Sequence, residues 1–153
     1  MERADDVGRL AFVKNVAILA AVALAPVALA TCTSSAKISV KNAAKLQAAK
    51  SAYVAFEGGS SQDVANGLEI AMAKRGLKTT GGRRADAPKS TDLLVTFEDH
   101  WTWAMTMWLL GLNVKIREAQ TGFPVADGDF VFAYRRAPDG TDDAVRRIIE
   151  QAK

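Results

Sequence analysis

Asp99 and His100 are neighbours, and His100 is the one histidine in the chain. A carboxylate beside an imidazole is the raw material of general base catalysis. Consecutive residues of a strand point to opposite faces, however, so these two side chains do not pair directly. Glu98 and Asp99 fail as a glycosidase-type carboxylate pair for the same reason. No serine lies in a G-x-S-x-G context. Gly58-Gly59-Ser60-Ser61 precedes a helical pattern and suggests a phosphate cradle, but it lacks the P-loop lysine and the dinucleotide spacing. It reads as a glycine turn followed by a serine cap. Zinc needs about four ligands, which one His and one Cys do not supply. The expectation is a protein with no catalytic residues, no metal and no cofactor, that is, not an enzyme.

The one cysteine, Cys32, follows the longest apolar run, Val16 to Ala30, which carries no charge. Arg9 and Lys14 precede the run, and small residues follow it. That is the layout of a secretory signal. The run is shorter than the ~20 residues of a membrane-spanning helix and contains Pro26. Two processing routes are open. Ala28-Leu29-Ala30 fits a small-x-small cleavage site and would release a soluble protein starting at Thr31. Leu29-Ala30-Thr31-Cys32 is similar to the bacterial lipobox, in which the cysteine becomes the lipidated terminus. A lone Cys in an exported chain has no internal disulfide partner, and an exposed free thiol is reactive, so the cysteine count favours lipidation of Cys32.

The third unusual feature is "WTWAMTMWLLG". On one extended strand, Trp101, Trp103, Met105 and Met107 would share a face, and Trp108 would lie on the other. Such a stripe packs a core or forms a platform for glycan, lipid or a partner. Trp101, Trp103 and Trp108 are therefore the candidate partner or ligand surface.

These residues need elements to position them. Residues 1–31 read as a signal peptide, 32–50 as a small, polar, Lys-rich tether, and 51–153 as one domain. Within the tether, Ile38 to Lys41 reads as a short strand or Ala43 to Ala49 as a helical turn. Ala52 to Phe56 reads as a buried strand. Val64, Leu68, Ala71 and Met72 recur at helical spacing, and Gly76 ends that helix. Leu77 to Thr80 suggests another strand, and 81–91 a loop. Leu93, Val95 and Phe97 alternate with Leu94, Thr96 and Glu98, Leu112, Val114 and Ile116 alternate with Asn113, Lys115 and Arg117, and Phe130, Phe132 and Tyr134 share a face. Short connections between these three strands predict an antiparallel meander. A last helix carries Val145, Ile148, Ile149 and Ala152 on one face. The expected fold is α+β: a two-layer sandwich with a mixed, largely antiparallel four- to five-stranded sheet, two helices on one face, and a signal segment in front.

The chain has 20 Lys and Arg against 17 Asp and Glu, a net charge of +3. Residues 1–31 hold three of each sign, so the remainder keeps the same excess. There is no dense basic stripe, and nucleic acid is not an expected partner.

The segments "YVAFEGGSSQDVANGLEIAMAKRGLKTT", "DLLVTFEDHWTWAM" and "LNVKIREAQTGFPVADGDF" carry a resemblance to small Gram-negative envelope lipoproteins of unknown function. That resemblance implies a fold like the LptE lipoprotein or the TolB N-terminal domain. It also implies a place in the cell envelope, at the outer membrane facing the periplasm. The expected function is a lipid-anchored, non-enzymatic envelope protein that binds or supports another envelope component. The alternatives are a cell-wall glycan reader using exposed Trp residues, and a soluble periplasmic protein released after Ala30.

Overall fold

The computed structural model describes residues 34–56 and 58–153. The expected signal peptide and Cys32 lie outside the described residues. In chain order the elements are β1 (Ser35–Val40), α1 (Ala43–Ala48), β2 (Ser51–Ala55), α2 (Gln62–Ala73), β3 (Lys78–Gly82), a 3-10 turn (Arg84–Asp86), β4 (Leu93–Trp103), β5 (Met107–Glu118), β6 (Pro124–Arg135) and α3 (Ala137–Gln151).

The fold is α+β, with an open, mixed six-stranded sheet in the order β1-β6-β5-β4-β2-β3. β4, β5 and β6 form the antiparallel meander that their alternation predicts, and β1 adds antiparallel to β6. β2 runs parallel to both β3 and β4. The strand count exceeds the expected four to five. The extra members come from the segment read as a tether: residues 35–40 are a strand of the sheet, and residues 43–48 are a helix. The local pattern there is weak because β1 is an edge strand whose side chains are only half-buried on one side and exposed on the other.

Alternation sets the two faces. Leu93, Val95 and Phe97 of β4, Leu112, Val114 and Ile116 of β5, and Phe130 and Phe132 of β6 are buried in one core with Val64, Leu68, Val145 and Ile148 of the two long helices. α2 packs on β2 and β3, α3 on β1, β5 and β6, and the helices pack on each other. They meet at Gly67, where an added Cβ would lie 2.5 Å from Thr141 Oγ1. Thr141 is fully buried, and its hydroxyl donates to Ala137 O at 2.8 Å. The opposite sheet face is wet: Glu98 pairs with Lys115 Nζ at 3.2 Å, and Asn113, Lys115 and Arg117 line β5.

Asp92 ties the starts of β2 and β4 together. Its carboxylate accepts from the N–H groups of Lys50 (2.9 Å) and Ser51 (3.0 Å) and from Ser51 Oγ (2.9 Å). These donors hold the Asp92 carboxyl below its usual range, the Lys50 N–H contributing most. At the same end of the sheet, α1 buries Leu46 and pairs Lys45 with Glu118.

Candidate functional site

The Trp-rich stretch is a hairpin rather than one strand. β4 ends at Trp103 and β5 begins at Met107. The turn, Ala104 to Thr106, closes with the Ala104 N–H donating to Thr106 O at 3.0 Å. Met105 sits at its tip with φ 61°, a left-handed conformation that side chains disfavour. The expectation that Trp101, Trp103, Met105 and Met107 share one strand face is thereby corrected: Trp103 and Met107 are cross-strand partners, and Met105 is the turn. The sequence reading missed this because Ala-Met-Thr contains none of the usual turn residues.

Each tryptophan has a different setting. Trp101 is half-buried and packs against the core. Its indole N–H donates to Asp99 Oδ2. Trp103 is 71% exposed. Trp108 is opposite Thr102, donates to Ala104 O at 3.4 Å, and meets Tyr134 edge-on at 6.3 Å. A bulge between His100 and Trp101 shifts the register, so Leu109 turns into the core while Trp108 stays on the outer side.

Asp99 has a structural task. It accepts from the backbone N–H of Ser61 at 3.3 Å and 3.4 Å, at the N-cap of α2, where the Ser61 side chain makes no capping bond. A carboxylate in that position also suits the positive end of the helix dipole. His100 lies on the wet face over Gly111, where an added Cβ would meet its ring at 3.3 Å. The structure does not bring Asp99 and His100 together. Among the described residues, no group of three or more His, Cys, Asp or Glu is arranged to hold a metal ion. No described helix is long and apolar enough to cross a membrane.

Two hollows flank the hairpin on its helix side. The larger, about 630 Å³, runs between the hairpin (Trp101, Thr106, Met107), α2 and its C-cap (Asn66, Ile70, Lys74) and the N-cap and first turn of α3 (Arg136, Pro138). Ile70 on its wall is 57% exposed. The smaller, about 290 Å³, is bounded by Gly59 to Ser61, Asp63, Asp99, Trp101 and Met107. Across the larger one, Asp142 pairs with Arg75 at 3.1 Å and Lys74 at 3.6 Å, and Arg75 holds its carboxyl below the usual range. The sequence signal for this groove was present only in part: the aromatic and Met residues were conspicuous, whereas Ile70 and Pro138 are ordinary helix positions.

Fold and site together define an open six-stranded α+β sandwich with an apolar hairpin projecting beside its helix layer. Solved structures with the same architecture include the PelC dodecamer from Paraburkholderia phytofirmans, in two crystal forms. One, a point variant, superimposes with a TM-score of 0.55 at 8% identity, covering 79% of this chain and 98% of that chain. The other gives a TM-score of 0.54 at 7% identity, covering 78% and 97%. At such identity the likeness is one of fold. No family model matches the chain, and no curated protein matches it by sequence.

Proposed function

We propose that this chain is a non-enzymatic envelope protein, lipid-anchored through Cys32, that uses its hairpin and the adjoining groove to bind another envelope component. Its place on this reading is the outer membrane, facing the periplasm, as in the small envelope lipoproteins it resembles. One observation supports the binding role above others. Trp103, Met105 and Met107 are 71%, 94% and 50% exposed on one projecting element, beside a groove with a partly apolar wall. Large apolar side chains gathered at one exposed place mark an interaction surface. PelC is a dodecamer, and a second copy of this chain is one partner to test.

The decisive experiment is intact mass of the protein from the native membrane fraction, together with Cys32→Ala. An acylated Cys32 and loss of membrane attachment in the variant are expected. A terminus at Thr31 with no lipid would replace this reading by the soluble periplasmic one. A second reading, cell-wall glycan recognition, is favoured by the exposure of Trp103, since a free indole face can stack on a sugar ring. It predicts that soluble glycan fragments quench or shift tryptophan emission in the wild type and fail to do so in Trp103→Ser. His100→Ala and Glu98→Gln are expected to leave the cellular role intact. Its loss from either variant, in a folded protein, would mean chemistry at this face.

A further inference from the structure

The rows of the sheet bring the chain entrance and the apolar hairpin to the same end. Ser35 opens β1 opposite Val131, Val131 is opposite Gly111, and Gly111 is opposite His100. Past that row the β4–β5 hairpin continues through Trp101 to Trp103, paired with Met107 to Leu109. At ~3.3 Å per residue, its paired part reaches about 10 Å beyond the row, and the turn goes further. Cys32 is three residues before Ser35. Three residues span at most about 10 Å. β1 and β4 are separated by β6 and β5, so the sideways distance is about 15 Å at ~4.8 Å per strand. Ser35 therefore opens β1 at the end from which the hairpin projects, and three residues of chain are long enough for a group attached at Cys32 to reach the same plane.

The hairpin's outward side chains suit a membrane interface. Trp and Tyr are favoured at the level of lipid headgroups, and Trp103 is joined at this end by Tyr134, 59% exposed. Arg136 lines the larger hollow together with Asp63 and Asp142, so the charge at this end is mixed and attraction to anionic lipid is not the main drive. The contact depends on apolar insertion.

We propose that the hairpin tip is a second membrane contact, with Trp103, Met105 and Met107 entering the headgroup–acyl boundary of the bilayer to which Cys32 ties the chain. This rests on the lipid-anchored reading above, and it gives these three side chains to the bilayer and leaves the groove beside them for the envelope component. A tether alone lets a domain swivel, whereas a tether and a hairpin fix its orientation and the height of the groove above the bilayer.

The test uses protein purified from native membranes and reconstituted into phosphatidylethanolamine–phosphatidylglycerol vesicles with brominated acyl chains. Trp101→Phe with Trp108→Phe leaves Trp103 as the sole reporter. If that pair perturbs the fold by circular dichroism, the difference between wild type and Trp103→Phe reports the same signal. Strong, salt-insensitive quenching of Trp103 by brominated lipid is expected. In Met105→Ser, the quenching of Trp103 should fall several-fold, because the tethered hairpin spends less of its time inserted. Intact mass at Cys32 separates the two proposals. Acylated Cys32 with Trp103 unquenched by lipid overturns the hairpin contact and keeps the anchor. Trp103 shielded from both lipid bromine and aqueous iodide also overturns it, in favour of a covering second copy or partner. An unmodified Cys32 removes the anchor; the hairpin contact then stands only if the free protein floats with vesicles and Trp103→Ser abolishes flotation.

Discussion

Gly67→Ala sets two effects of similar size against each other. In a free helix the change would stabilise by about 1 kcal/mol, because alanine restricts the unfolded chain and favours helix. Here the new methyl would sit 2.5 Å from Thr141 Oγ1 and 3.1 Å from its Cγ2. Thr141 has no room to yield: it is fully buried, and rotating it would break the bond to Ala137 O. An unpaired buried hydroxyl costs about 1–3 kcal/mol, and spreading the helices costs a similar amount in lost packing. Repulsion wins, and a net loss of about 1–2 kcal/mol is expected, a fall of several degrees in Tm for a domain of this size. In a Thr141→Ala background the two nearest of these atoms are gone and the Cβ at 3.2 Å is left, so Gly67→Ala should become neutral or stabilising. The cycle, read by thermal and urea unfolding, should show a coupling of about 2 kcal/mol. Stabilisation by Gly67→Ala in the wild-type background, or simple additivity of the two changes, would refute this account of the helix crossing.

Trp101→Ala should destabilise by about 3 kcal/mol through lost core packing, whereas Trp103→Ala should stay within about 0.5 kcal/mol, as thermal melts of the pair will show. Met105→Gly relieves a left-handed side chain at φ 61° and should raise stability by about 1 kcal/mol in urea titrations. Asp92→Ala should cost about 2 kcal/mol at pH 7, by removing the acceptor that joins β2 to β4. Because the folded Asp92 carboxyl is held below its unfolded value, its contribution is fully present above about pH 4 and fades as pH falls through the folded value. Stability against pH should therefore have a shallower acid limb in Asp92→Ala than in the wild type.

Local periodicity is enough to find the parts of this protein whose burial repeats along the chain. Leu93, Val95 and Phe97, then Leu112, Val114 and Ile116, alternate because one face of the meander is covered and the other wet. The faces of α2 and α3 show for the same reason, and Cys32 after an uncharged apolar run needs no fold to be noticed. Tertiary structure alone decides what depends on distant partners. β1 is recruited by the free edge of β6, and α1, although built of good helix formers behind an Asn42 cap, is only six residues long and is held by the packing of Leu46. The parallel seat of β2 beside β4 follows from Asp92 gathering donors across forty residues of chain. Asp99, an apparent partner for His100, instead binds the N-cap residue of a helix, Ser61, 38 residues earlier. The hairpin tip at Met105 and its place beside the entrance of β1 arise from strand register, which pairs residues far apart in sequence and leaves no mark in any one stretch.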